Sequence, residues 1–216
     1  TMGLPAVVGL GGRLQAQREG ELVFLDGTTG EVFINPDAAT VARLEAERER
    51  QAALRCDLKA LRDREAVAPD GRRVLVCANI GSIGDLQAVA DAGADGIGLF
   101  RSEFLYLERD DYPTEEELYR AYRQVAEAMQ GRTVVIRTLD IGADKQAAYF
   151  QLPPEENPAM GFRAIRICLA RPDVFRTQLR ALYRASAYGK IAIMFPMITS
   201  VSEVLGIKAL CAQVRA

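Results

Sequence analysis

Alternation between short apolar runs and helix-forming segments is the feature that most constrains the fold of this chain. From residue 74 onward, four apolar runs are each followed by a segment with helical spacing. Such alternation is typical of a parallel sheet whose strands are joined by right-handed helical crossovers. The sequence therefore predicts an α/β fold. Its four βα units have predicted strands at 74–78, 96–100, 133–136 and 191–195. The first run is continuously apolar, the kind buried on both faces of a parallel sheet, and Thr114 with Glu117 three residues later predicts a capping box at a helix start.

Two architectures share this pattern, an open doubly wound sheet and a (β/α)8 barrel of the TIM type. Neither GxGxxG nor GxxxxGK[ST] follows any of the four runs, which disfavours the nucleotide-binding forms of the open sheet. A complete barrel takes about 250 residues. The stretch from 74 to 216 is long enough for roughly half of that, so we predict a partial (β/α)8 barrel.

The first 70 residues have a different pattern. Short apolar runs at 21–25 and 31–34 flank a turn, and two strands of this length rarely form a stable unit alone. We therefore expect a small β-rich segment belonging to a larger domain. Residues 38–66 contain strong helix formers without Gly or Pro and predict one long connector helix. A two-helix hairpin is the alternative, because the apolar stripe fades around 45–51. The predicted divisions are 1–36, 37–70 and 71–216.

Composition excludes several classes of function. The 216 residues include no histidine, which removes histidine nucleophiles, histidine acid–base groups and histidine metal ligands from this chain. The net charge of −2 gives no indication of nucleic acid or an anionic membrane as partner. No apolar run reaches the roughly 18 residues of a transmembrane helix. The four cysteines form no CxxC pair, so we expect free thiols and a cytoplasmic location.

Arginines follow two successive predicted strands. Arg101 comes directly after the second strand and Arg137 after the third. Function in parallel α/β folds is concentrated at the carboxyl ends of strands, and the guanidinium group presents a planar fork of donors suited to carboxylate or phosphate. The pair therefore indicates a small anion with two or three negative charges. Structural ion pairing is the alternative, with Glu103 and Asp140 as the nearest partners, and spacing alone does not choose between the two.

Three further residues near these strand ends are weaker candidates. Asp140 and Lys145 belong to a loop after the third strand, where the pattern by itself favours a solvated turn. Arg163 lies near a predicted helix start, where a surface arginine is the usual expectation.

Several segments resemble the phosphoenolpyruvate-binding barrel of enzyme I, the first enzyme of the bacterial sugar phosphotransferase system. Their order and gaps also fit that family, and the similarity extends back through residues 4–80. The segments are Ala78-Asn79-Ile80-Gly81-Ser82, Gly96-Ile97-Gly98-Leu99-Phe100-Arg101-Ser102-Glu103-Phe104-Leu105, Arg137-Thr138-Leu139-Asp140-Ile141-Gly142, Arg163-Ala164-Ile165-Arg166 and Met194-Phe195-Pro196-Met197-Ile198.

The resemblance implies a mechanism and a set of roles. Phosphoenolpyruvate would bind at the barrel mouth with Mg²⁺, and its phosphoryl group would pass to a histidine on a mobile domain and then to a histidine-containing phosphocarrier protein. Arg101 and Arg137 would hold the phosphoryl and carboxylate oxygens, while Arg163, Asp140 and Lys145 would complete the wall. The parent enzyme would be a homodimer. Residues 1–36 would be the tail of the phosphohistidine domain.

The chain also departs from that family in ways that limit its expected activity. The acceptor histidine would lie before Thr1, and the magnesium-binding carboxylates and the catalytic cysteine would belong to later strands. Ala143 replaces a usual glycine. We therefore expect a fragment with part of the substrate site, no complete catalytic set and no metal ligands, and inactive alone. Because its open edges and apolar inner face would be exposed, we expect it either to self-associate or to be poorly stable. The alternatives are a fragment of pyruvate phosphate dikinase or phosphoenolpyruvate synthase, and a non-catalytic binding module.

Overall fold

The chain folds into two compact units, Thr1–Leu61 and Arg62–Ala216, in a computed structural model. The structure describes residues 4–13, 20–107, 109–143 and 147–216. Each unit is considered by itself below. Among these residues, no helix is both long enough and apolar enough to cross a membrane.

The first unit contains a hairpin and one long helix. Strands β1 (Val23–Asp26) and β2 (Glu31–Ile34) pair antiparallel. Helix α1 spans Ala38–Ala60 and begins at Asp37, whose carboxylate accepts the backbone N–H of Thr40. The single helix excludes the two-helix hairpin, but it ends about six residues earlier than predicted. Within the described part of the chain, α1 has no buried residue, which fits its weak apolar stripe.

The second unit is built on a parallel sheet. Its strands are β3 (Cys77–Ile80), β4 (Gly96–Arg101), β5 (Val134–Arg137) and β6 (Ile191–Met194), and they lie side by side in chain order. All three neighbouring pairs are parallel. Sequential parallel strands with intervening helices are the arrangement of a partial (β/α)8 barrel, as predicted.

Among the described residues of the second unit, five α-helices accompany this sheet. Helix α3 begins with the predicted capping box, in which Thr114 accepts the backbone N–H of Glu117 and the Glu117 carboxylate accepts the backbone N–H of Thr114. Helices α3 and α5 pack against each other, and α6 packs against α5. The helices are α2 (Leu86–Asp91), α3 (Glu115–Ala128), α4 (Ile165–Ala170), α5 (Pro172–Ala185) and α6 (Val201–Arg215).

The core lies between the central strands and these helices. Burial alternates along β5, where Val134 and Ile136 are fully buried and Val135 and Arg137 are half-buried. One face of the sheet is therefore packed and the other is more open. The fully buried residues that join sheet and helices include Ile97, Phe100, Val134, Ile136, Tyr122, Val125, Leu179 and Leu182.

The prediction for the first strand of this sheet was wrong in both position and burial. Val74, Leu75 and Val76 are exposed, and β3 begins only at Cys77. The backbone before β3 forms hydrogen bonds outside the sheet: the N–H of Val74 donates to the carbonyl of Ala66, and the N–H of Val76 donates to the Asp95 carboxylate. Because β3 is at one end of the four-strand order, its flank is covered less than a central strand would be.

Candidate functional site

The two strand-end arginines lie next to each other. Arg101 is the last residue of β4 and Arg137 is the last residue of β5. Their Cα atoms are register partners in the parallel pairing of these strands. Because the carboxyl ends of parallel strands share one edge of the sheet, both side chains belong to the same mouth. The predicted juxtaposition of these two cations is therefore present in the fold.

Arg137 is held by two carboxylates. Its guanidinium donates to Glu103, whose side chain is almost fully buried, and forms an ion pair with Asp140 at 3.0 Å. Both partners named by the structural-pair interpretation therefore contact this arginine. The Arg137 Nε–H is nevertheless buried and has no hydrogen-bond partner.

Arg101 has a different environment. Among the described residues its guanidinium makes neither an ion pair nor a hydrogen bond, and its buried Nε–H is unpaired. It lies over the ring of Phe104, 5.0 Å from the centroid, in a cation–π contact. A Cβ on Gly81 would come within 3.1 Å of the Arg101 terminal nitrogen, so glycine lets this loop lie against the guanidinium. The structural-pair interpretation therefore fits Arg137 and does not fit Arg101.

The loop that supports Arg101 is fixed by its own carboxylate. The backbone N–H groups of Gly81 and Ser82 each donate to Asp85 at 2.9 Å. These bonds lower the pKa of Asp85 below its ordinary value, because they favour the charged carboxylate. A depression of about 430 Å³ lies beside this loop and is lined partly by Phe104 and Leu107.

The segment after β5 is not the solvated turn that its pattern favoured. Thr138, Leu139 and Ile141 are fully buried, and Asp140 is only 8% exposed. Asp140 accepts from Arg163 through Nε at 3.1 Å and the terminal nitrogen at 3.0 Å. One carboxylate thus bridges two arginines and ties this segment to the start of α4. Lys145, the remaining predicted site residue, lies outside the described residues.

Arg163 is buried, which corrects the expectation of a surface arginine. Its side chain is held by Asp140, and the backbone on either side is constrained. The N–H of Phe162 donates to both oxygens of Glu155 at 2.9 and 3.0 Å. Ala164 adopts φ 52° and ψ −124°, a conformation that favours glycine, while fully buried. This strained position fixes where Arg163 enters the site.

Sequence patterns did not reveal the polar residues beneath the arginines. Gln178 is buried on the apolar face of α5, and its amide group contacts Ser102, Tyr122 and Leu139. The one available signal is a glutamine within the buried stripe formed by Phe175, Leu179 and Leu182. That signal is weak, because a polar residue on a helix usually faces water.

The cysteines take no part in this site. All four are free thiols. Burial raises the pKa of Cys168 to about 12, so its thiol is protonated at neutral pH and is a poor nucleophile.

Comparison with known proteins identifies the family of this chain. Residues 55–216 match the family described as "PEP-utilising enzyme, PEP-binding domain". The chain is 49% identical over 213 residues to the phosphoenolpyruvate-protein phosphotransferase of Staphylococcus carnosus, covering 99% of this chain and 37% of that protein. The protein of the same name from Staphylococcus aureus strain MRSA252 is 49% identical, covering 96% and 36%. The one from Haemophilus influenzae is 46% identical, covering 99% and 37%.

These matches confirm the resemblance predicted from the strand-end motifs. The chain spans little more than a third of the length of these relatives. The chain belongs to the family of PEP-utilising enzymes, whose PEP-binding domain it matches from residue 55 onward.

Proposed function

We propose that the mouth formed by Arg101 and Arg137 binds phosphoenolpyruvate, with Arg163 and Asp140 completing its wall. The observation that carries this proposal is a pair of unpartnered donors: the Nε–H groups of both strand-end arginines are buried and form no hydrogen bond with any residue that the structure describes. A buried donor left unpaired costs about 1–3 kcal/mol. Native structures seldom keep such a group without a reason, and a bound ligand is one such reason.

Charge supports the same assignment. Among the described residues, three arginines and two carboxylates meet at this mouth, which leaves one positive charge in excess, and Arg101 is the arginine without a carboxylate partner there. The carboxylates orient Arg137 and Arg163 but also offset their charge. Arg101 should therefore supply the largest share of the attraction for an anion. Arginine donors aimed at a transferring phosphoryl group stabilise its charge, which is the main task of phosphoryl-transfer sites.

For the whole protein we propose the activity named for its relatives, transfer of the phosphoryl group of phosphoenolpyruvate to protein. The motifs at the strand ends and the similarity along nearly the full chain support this activity. The acceptor would be a histidine outside this histidine-free chain, followed by a histidine-containing phosphocarrier protein. A homodimeric parent and a cytoplasmic location are part of the same proposal.

We propose Mg²⁺ as a cofactor of the parent enzyme only, bound by residues beyond those that the structure describes. In the part of the chain that the structure describes, no group of three or more Cys, Asp or Glu side chains could hold a metal ion. The two carboxylates at the mouth are already engaged by arginines, Glu103 by Arg137 and Asp140 by Arg137 and Arg163. These residues do not fit a magnesium site, so no step here depends on the ion.

Calorimetric titration of the 216-residue chain with phosphoenolpyruvate tests the binding proposal. We expect saturable binding that Arg101→Gln weakens at least tenfold, since a charge-assisted contact is worth about 1.5–3 kcal/mol. The control is Arg120→Gln, which removes an exposed arginine of α3 paired with Glu116. Absence of binding to the unaltered chain, or equal weakening by both variants, would contradict the proposal. If the chain binds phosphoenolpyruvate and Arg101→Gln does not weaken that binding, a binding module that recognises another anion would be favoured.

A further inference from the structure

A single buried amide lies beneath the two arginine-bearing strand ends. Gln178 is 1% exposed, on a helix whose neighbouring buried positions are apolar. Burying an amide is costly unless its polar atoms are bonded. Its Nε2 donates to Ser102 Oγ and to Tyr122 Oη, each at 3.0 Å, and its Oε1 accepts the backbone N–H of Leu139 at 3.0 Å.

The chemistry of these partners fixes the orientation of the amide. A backbone N–H can only donate, so the oxygen of Gln178 must face Leu139 and the NH₂ group must face the two hydroxyls. Ser102 Oγ then accepts from Gln178 and uses its own hydrogen to donate to the carbonyl of Arg137. Hydrogen-bond donation therefore runs in one direction, from Gln178 on α5 through Ser102 to the carbonyl of Arg137 at the end of β5.

This network anchors the chain at three points next to the residues proposed to bind the anion. Ser102 directly follows Arg101, its hydroxyl holds the backbone of Arg137, and Leu139 directly precedes Asp140. One side chain on α5 thus sets the separation of the β4 and β5 ends and the start of the loop whose carboxylate holds Arg163. Tyr122, the third direct partner of the Gln178 amide, is on α3 and lies on the helical side of the amide.

We propose that Gln178 is a positioning residue that holds Arg101 and Arg137 at the spacing needed to bind one anion jointly. This inference rests on the proposed function. Gln178 itself touches no ligand and acts through Ser102 and Leu139. An apolar side chain of similar volume would fill the same space, but it would leave the Leu139 N–H without an acceptor and release Ser102 from the helix.

Two variants in this network distinguish a role in positioning the arginines from a role in stabilising the fold alone. Gln178→Met keeps the volume and removes all three bonds, whereas Tyr122→Phe removes one bond on the helical side and leaves the strand-end bonds in place. Both should destabilise the fold. Only Gln178→Met should weaken phosphoenolpyruvate binding, by about tenfold or more, as loss of an orienting group typically does. Ser102→Ala should resemble Gln178→Met, and the double variant should add little to the loss.

The measurement is titration with phosphoenolpyruvate, together with the ¹⁵N signals of the arginine Nε–H groups, which report on Arg101 and Arg137 without ligand. Those two signals should shift or broaden in Gln178→Met and not in Tyr122→Phe. Equal changes in both variants, or none in either, would overturn the positioning role. If the unaltered chain fails to bind phosphoenolpyruvate, the proposed function fails, while the arginine signals still decide whether Gln178 positions these side chains.

Discussion

Replacing Ala164 with glycine should cost less stability than the same substitution at a buried alanine whose backbone is unstrained. Ala164 is fully buried, and its φ of 52° with ψ of −124° lies in a region that L-residues avoid. Holding a non-glycine residue in such a conformation costs about 1–3 kcal/mol. Glycine removes that strain and leaves the Ala164 N–H free to donate to Ile141 as before.

Two losses oppose this gain. Removing the buried methyl costs about 0.8 kcal/mol. The greater freedom of glycine in the unfolded chain costs about 0.4–1 kcal/mol. The sum nearly offsets the relieved strain, so Ala164→Gly should unfold within about 1 kcal/mol of the unaltered chain.

Ala181→Gly is the matched control, because Ala181 is also fully buried but lies inside helix α5. It loses the same methyl and takes the penalty of about 1 kcal/mol for glycine in a helix, without any strain to relieve. The control should therefore lose about 2 kcal/mol. Urea unfolding followed by circular dichroism gives both values, provided that the slope with urea stays constant. Equal losses for the two variants would refute the claim that Ala164 is strained.

Two other predictions concern the ends of helices α3 and α4. A hydrogen bond from the Arg109 side chain, followed by the helix cap, lowers the pKa of Glu117 from 4.5 to about 2, so its stabilisation is full above pH 4.5 and is lost as the pH falls through 2. Glu117→Gln should thus lower the melting temperature much more at pH 7 than at pH 2, where part of the Glu117 carboxylate is already protonated, and an equal decrease at both would contradict the assignment. A Cβ on Gly161 would lie 1.9 Å from a Glu155 oxygen, so Gly161→Ala should displace that carboxylate and cost about 1–2 kcal/mol in chemical unfolding. The same substitution in a Glu155→Ala background should be nearly neutral, and an undiminished cost there would show that the clash is not with Glu155.

Local patterns predicted the elements whose burial and capping depend on their own residues. Strand β5 lies within one residue of its predicted span, and the helix start at Thr114 has the predicted reciprocal cap. The adjacency of Arg101 and Arg137 also followed from the sequence, because parallel neighbours bring their carboxyl ends together.

The remaining features depend on contacts between distant parts of the chain. The apolar run at 74–76 looked like a doubly covered strand, but apolar character does not show how many neighbours a strand has. Burial of Arg163 depends on Asp140, which lies 23 residues away. Gln178 meets Ser102 across 76 residues, and no local spacing contains that relation.

The order of the strands has a consequence for how the site forms. After β3, each strand of the parallel sheet pairs with the strand before it in the chain. Such sequential topology suits growth from the ribosome, where the earlier part of a chain emerges first. The arginine spacing, however, is fixed only when α5 arrives and its amide joins the two strand ends. Nascent chains that end before α5 should already pair β3, β4 and β5 and still lack an ordered anion site.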